Sequence, residues 1–138
     1  MSSRPLLLDT HALLWAADAG ALSPQAEAEL ERASEEDIPV LVSPISAWEI
    51  GLLVARGRLA LPISPKDWFE AVIRAGLALA PLPPTVMIDS SFLPGAIHGD
   101  PADRILTATA RAFGYRLMTR DRALLAYAEA GHLQAIAC

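Results

Sequence analysis

Short apolar runs alternate with segments that open on helix-capping residues, and this alternation sharply limits the folds open to the chain. Pro5–Asp9, Pro39–Val42, Leu77–Leu82 and Tyr115–Thr119 are apolar, bounded by turn or cap residues, and too short for independent helices. They read as buried strands, and Leu133–Ala137 reads as a fifth. Between them lie helical segments. Ser23-Pro24 opens one to about Glu35, Ser43-Pro44 one to about Ala55 stopped by Gly57, and Asp100-Pro101 one ending near Phe113-Gly114. Each pairs an N-cap residue with proline at the first helical position, where its missing N–H costs nothing. Thr10–Ala17, Pro65–Ala75, Pro84–Phe92 and Arg122–Ala130 complete the helical set. Strands separated by helices pair in parallel and are covered on both faces. The expected fold class is α/β, a three-layer α/β/α sandwich around a central, mainly parallel sheet.

Composition narrows this further. The 138 residues fit one domain spanning 1–138, and at 53% hydrophobic and 20% charged the chain is too apolar to be disordered. Its single cysteine, Cys138, excludes an internal disulfide and fits a reducing compartment. The longest charge-free stretch, Ala75–Ile88, has 14 residues and is interrupted by Pro81, Pro83 and Pro84. That is too short to span a bilayer. Asp9 and His11 break the apolar N-terminus, so no signal peptide is expected. The expected setting is the cytoplasm.

The net charge of −5 argues against a broad basic surface for nucleic acid. The balance is uneven, because residues 1–99 carry 6 basic and 12 acidic side chains, while residues 100–138 carry 5 arginines against 4 acids. The acidic run Glu27–Asp37 reads as a solvated helix face.

Four acids stand apart by position. In an open parallel sheet, ligands bind beyond the carboxyl ends of the strands. Asp9 closes the first strand, Glu49 lies in the second turn of the helix after the second, Asp103 in the first turn of the helix opened by Asp100, and Asp121 two residues beyond the fourth strand. Each has a plainer reading. Asp9, Asp100 and Asp121 can cap helices, Ser46-x-x-Glu49 matches a capping box, and Asp103 suits a helix dipole. Together, however, the fold brings four carboxylates to one edge. Two carboxylates ~5 Å apart repel by roughly 3 kcal/mol at an effective dielectric of ~20. Lys66 is the sole lysine and lies far along the chain. An all-oxygen site suits Mg2+ or Mn2+ rather than zinc. A divalent cation held there acidifies water and neutralises a phosphate during hydrolysis, so the expected chemistry is metal-assisted cleavage of a phosphodiester.

The same residues carry a resemblance. Leu6-Leu7-Leu8-Asp9-Thr10-His11-Ala12-Leu13-Leu14-Trp15 resembles the opening of PIN-domain ribonucleases, specifically VapC-type toxins of bacterial toxin–antitoxin pairs. Ser43-Pro44-Ile45-Ser46-Ala47-Trp48-Glu49-Ile50 with Gly57-Arg58-Leu59 resembles their second block, His98-Gly99-Asp100-Pro101-Ala102-Asp103-Arg104 the third, and Leu117-Met118-Thr119-Arg120-Asp121 the fourth. The four blocks run in order along nearly the whole chain. The resemblance implies an acidic quartet of Asp9, Glu49, Asp103 and Asp121 around Mg2+ or Mn2+, acting on single-stranded or loop RNA. It further implies Asp100 as an auxiliary carboxylate and Thr119 as a polar neighbour that orients water. A small antitoxin as partner and a homodimer also follow from the resemblance. One departure is Leu53, where members of this subgroup often carry a lysine.

The remaining polar residues are read individually. Arg104 is placed either on phosphate or in a salt bridge with a neighbouring acid. Arg120 and Arg122 flank Asp121 and have surface solvation and RNA-backbone contact as alternatives. His11 and His98 are expected to be structural or surface histidines, since neither has a metal-ligand partner at helical spacing. Trp15, Trp48 and Trp68 are expected in the core or an interface. Two competing functions stay open at this point. One is a PIN-like RNA- or partner-binding module without catalysis. The other is a phosphoryl-acceptor domain with Asp9 as nucleophile, which the His11 position and the distant Lys66 disfavour.

Overall fold

The computed structural model describes residues 2–18 and 21–138. Its elements run β1 (Leu6–Leu8), α1 (Thr10–Ala16), α2 (Pro24–Glu35), β2 (Val40–Val42), α3 (Pro44–Ala55), α4 (Pro65–Arg74), β3 (Ala78–Leu79), α5 (Pro84–Asp89), α6 (Pro101–Phe113), β4 (Arg116–Thr119), α7 (Arg122–Glu129) and β5 (Ala135–Ala137). The five strands form one sheet in the order β3-β2-β1-β4-β5. Every pair is parallel, with Leu7 opposite both Leu41 and Leu117. The expected α/β/α sandwich is therefore the fold.

The alternation of side chains along β1 explains the three layers. Leu6 and Leu8 face one side, where they pack with Ala12, Leu13, Ala26, Ile50 and Met118. Leu7 faces the other, with Leu106, Ala110, Leu117, Leu124 and Tyr127. All three leucines are fully buried because β1 is the central strand. At about 2 kcal/mol for each buried leucine, this strand anchors both cores.

Prolines at the first turn and side-chain caps at Ser23, Ser43, Ser64 and Asp100 start α2, α3, α4 and α6 as the sequence indicates. Most boundaries shift by one or two residues, and two differ more. The third strand is only Ala78–Leu79, both exposed, because it sits at the sheet edge and pairs with β2 alone. The helix after Pro84 ends at Asp89 instead of Phe92. At the far end of α6, Gly114 adopts φ 73°, the left-handed C-cap that turns the chain into β4. A side chain there is strained. Gly114→Ala is expected to cost about 1 kcal/mol, read as a lowered midpoint in urea unfolding.

The acidic run on α2 is not wholly solvated. Glu29 accepts from Arg116 Nη1 at 2.9 Å and from Arg32 Nη2 at 3.1 Å, and both arginine side chains are nearly buried. Arg116 also donates to the carbonyl of Arg4, and Arg32 to that of Ser2. This network ties α2 and β4 to the segment entering β1. Among the described residues, no helix is long and apolar enough to cross a membrane.

Candidate active site

In the order 3-2-1-4-5 the chain reverses its direction of travel at β1, so a crevice opens beyond the carboxyl ends of β1 and β4. Residues directly after strands and at the starts of helices meet there. A cleft of about 450 Å³ at this edge is lined by Asp9, His11, Trp15, Glu49, Asp100, Asp103, Arg120 and Asp121. The four quartet acids and the auxiliary Asp100 thus converge on one cavity from four separate segments.

The capping readings and the site readings hold together. Asp9 Oδ1 accepts the N–H of Ala12 at 2.7 Å, Asp100 Oδ1 that of Asp103 at 3.0 Å, and Asp121 Oδ1 that of Leu124 at 2.9 Å. Each cap fixes a carboxylate by one oxygen at the end of a rigid element, which is a way to preset a ligand geometry. The capping-box reading of Ser46 and Glu49 does not hold. Ser43 is the N-cap of α3, and Ser46 instead accepts a buried hydrogen bond from the Thr10 hydroxyl at 3.0 Å. That bond joins the first turns of α1 and α3, and with them the segments carrying Asp9 and Glu49. Thr119 Oγ1 accepts the N–H of Asp121 at 3.1 Å, so it orients the turn that carries that acid.

The electrostatics are those of a crowded anionic site. Burial raises the Asp9 pKa, opposed by hydrogen bonds from Thr119 and Ala12, and Asp9 is only 5% exposed. Asp103 is pushed up to about 7, first by burial and then by Asp100, Asp121, Asp9 and Glu49. Burial and the four neighbouring acids thus favour the protonated form of this carboxyl up to about neutral pH.

His98 corrects the expectation of a structural or surface histidine. Its Nε2 lies 3.3 Å from Asp103 Oδ2 and 3.5 Å from Asp121 Oδ1. Its Nδ1 accepts the N–H of Asp100 at 3.1 Å, so the neutral ring carries its proton on Nε2, toward the two carboxylates. That buried nitrogen makes no hydrogen bond, which leaves a polar atom without a partner at the cluster. One ligand atom each from His98, Asp103 and Asp121 lies within 4.8 Å of the others. A carboxyl pushed up by burial and by four neighbouring acids, in a cleft lined by five carboxylates, makes an oxygen-rich donor set that fits a divalent cation.

The arginines separate. Arg104 forms no salt bridge with a neighbouring acid among the described residues. Its Nε donates to the Ser90 carbonyl at 2.8 Å and its Nη1 to those of His98 and Ile97, so it clamps the loop before α6. Arg120 lies at the cleft mouth, its guanidinium 3.8 Å from the Trp15 ring centre, and donates to the carbonyls of Ala21 and Cys138. Arg122 is exposed. His11 is exposed at the cleft wall beside Trp15. Trp15 and Trp68 pack against the core, whereas Trp48 is 55% exposed. Leu53 is half-buried on α3.

Comparison with known proteins follows the same lines. The PIN domain family profile matches residues 6–130. Ribonuclease VapC22 of Mycobacterium tuberculosis is 35% identical over 120 residues, covering 86% of this chain and 88% of that protein. Among solved structures, VapBC2 from Rickettsia felis bound to a promoter DNA fragment superposes with a TM-score of 0.65 at 15% identity, covering 96% of this chain and 97% of the other. FitAcB from Neisseria gonorrhoeae does so with a TM-score of 0.58 at 20% identity, covering 95% and 96%. At those identities the structures support the fold alone. With the family profile spanning nearly the whole chain and a relative matched along most of both lengths, this chain belongs to the PIN-domain family, in its VapC branch.

Proposed function

We propose that this chain is a divalent-metal-dependent endoribonuclease of the toxin type, acting in the cytoplasm as one domain. The observation that carries the reading is the convergence of Asp9, Glu49, Asp100, Asp103 and Asp121 on a single cleft at the switch point of the sheet. The 35% identity to a protein named as a ribonuclease supports the chemistry.

In this reading Asp9, Glu49, Asp103 and Asp121 hold Mg2+ or Mn2+, and Asp100 adds negative charge from the rim. The bound cation supplies charge neutralisation at the phosphate and a readily ionised water. Everything else is done by the chain. The caps at Asp9 and Asp121 keep one oxygen of each carboxylate tied to backbone N–H, leaving the other for the cation. Thr119 holds the turn that carries Asp121. The His98 Nε2–H, close to both Asp103 and Asp121, offers them positive potential and is a donor in this tautomer, not a ligand. Arg120 at the mouth offers positive charge to an approaching RNA backbone.

Partners follow from the surface. Trp48, Leu79, Met87, Ile88 and Phe92 are exposed, Phe92 at 79%, which is an unusual apolar load for a free monomer. The proposed occupants are an antitoxin and a second copy of the chain.

The test is cleavage of a structured RNA pool by antitoxin-free protein in Mg2+, Mn2+ or EDTA. Cuts that need the metal are expected. Cleavage that persists in EDTA, or no metal-dependent cleavage at all, contradicts the reading.

The raised Asp103 pKa gives the metal step a pH dependence of defined sign. An incoming cation must displace the proton held up to about pH 7. Calorimetric Mn2+ affinity is expected to rise by about tenfold or somewhat more in total between pH 5.5 and 7, and to level off above that. In metal-free protein the sign is opposite. The folded carboxyl keeps its proton to about 7 while the ordinary value is 3.8, so its contribution to stability is lost as pH rises across that window. An affinity flat across this range contradicts the assignment of Asp103.

A further inference from the structure

A second cleft lies on the other side of His98. It has a volume of about 540 Å³ and is lined by residues 95–98, Arg104, the outward side of α7 and His132. The His98 imidazole is a common wall, since its Nε2 faces Asp103 and Asp121 while the ring also lines this cleft. Anything seated here is one ring's width from the acidic centre.

The chemistry of the two clefts is opposed. The first is lined by five carboxylates, and the second by none. Ala123 and Ala126 of α7 and Ala130 at its C-cap present small apolar side chains, Ile97 adds an aliphatic wall, and His132 offers the accessible aromatic ring, since Tyr127 is only 3% exposed. Tyr127 and His132 stand with ring centres 4.8 Å apart. The walls are also fixed in place. Arg104 ties down the carbonyls of Ser90, Ile97 and His98, and the Tyr127 hydroxyl donates to the Pro94 carbonyl. A preformed, acid-free, aromatic-edged cleft next to a phosphodiester-cleaving centre suits a flat neutral heterocycle. Single-stranded RNA offers such groups as splayed bases stacked on aromatic and guanidinium surfaces.

We infer that this cleft binds one nucleobase of the RNA strand, next to the phosphate being cut, and so sets part of the cleavage specificity. The inference rests on the ribonuclease reading of the acidic cleft and adds the site that selects where the strand lies.

The test uses Ala126→Trp, which fills the cleft from an exposed helix position and touches none of the acids. RNA oligonucleotides carrying the cut site are compared with versions bearing one abasic residue at each flanking position in turn. For wild type, one abasic position is expected to lower kcat/KM about tenfold or more, the scale of one stacked base. Ala126→Trp is expected to lose the same factor on intact RNA and to be insensitive to that abasic position, while keeping wild-type Mn2+ affinity and melting temperature. That loss of sensitivity is the signature of a direct contact. Wild-type cleavage by Ala126→Trp, or undiminished abasic sensitivity in it, overturns the inference. So does a variant that cleaves normally but no longer binds the antitoxin, since the cleft then belongs to the protein partner. If wild type cleaves no RNA in any metal, the ribonuclease reading itself falls, and this inference with it.

Discussion

Asp103→Asn is expected to lower RNA cleavage by about a thousandfold while leaving the protein folded. Asp103 is the acid on which the others act, since Asp100, Asp121, Asp9 and Glu49 all raise its pKa. Asparagine keeps the shape and the α6 position but supplies no negative charge to a cation. Loss of several kcal/mol of transition-state stabilisation is the scale of losing metal assistance, and each 1.36 kcal/mol is about tenfold in rate. The same substitution removes an electrostatic strain. Metal-free Asp103→Asn is therefore expected to melt above wild type at pH 8, where the wild-type carboxyl is ionised among its neighbours. Asp89→Asn, at an exposed acid outside the cleft, is the control and should change neither property. A folded Asp103→Asn protein that cleaves at the wild-type rate contradicts the assignment.

Glu29→Ala is expected to destabilise the fold by about 3 kcal/mol without touching the acidic cleft. The carboxylate is the shared acceptor of Arg116 and Arg32, and the Arg116 side chain is only 8% exposed. Removing one partner of a buried pair leaves an uncompensated charge, which costs about 3–5 kcal/mol, and Glu29 still reaches solvent, so the low end applies. For a chain of this length that corresponds to a melting temperature lower by about 10 °C. The pH dependence follows from the lowered Glu29 pKa, caused first by the Arg116 hydrogen bond. An acid held below its ordinary pKa stabilises the fold above that ordinary value. The contribution is lost as acidification carries the pH down through the lowered folded one. Glu29→Gln should flatten that part of the acid unfolding profile. A melting temperature within 2 °C of wild type in Glu29→Ala would show that the network carries little stability, on the order of half a kilocalorie per mole.

The sequence exposed what depends on local chemistry and hid what depends on distance. Ser-Pro and Asp-Pro pairs announce helix starts because the cap and the proline act within one turn, and α2, α3 and α6 begin there. Asp9 and Asp121 were legible because each follows an apolar run that can only be a strand. The sequence left capping and cleft placement as alternatives for both, and the structure combines them. His98 was not legible. Its partners Asp103 and Asp121 lie 5 and 23 residues away across a loop, and no periodicity links them. The Gly99-Asp100-Pro101 turn, which brings the Asp100 N–H onto Nδ1, was the only local hint. Glu29 was hidden in a run of six acids, because burial against Arg116 is set by a contact 87 residues away in sequence. The loop-clamping contacts of Arg104 were hidden for a related reason. Proximity to Asp103 in sequence places the two side chains on different sides of α6, and the arginine turns to the loop carbonyls instead.

The central claim is that a cation held by the acidic cleft performs the cleavage. It is tested most directly by titrating Mn2+ into metal-depleted protein while following bound Mn2+ by electron paramagnetic resonance and RNA cleavage in the same samples. Cleavage and occupancy are expected to rise together with one midpoint, and Asp103→Asn to lose both. Full cleavage by metal-depleted protein, or saturable Mn2+ binding with no cleavage at any occupancy, would contradict it.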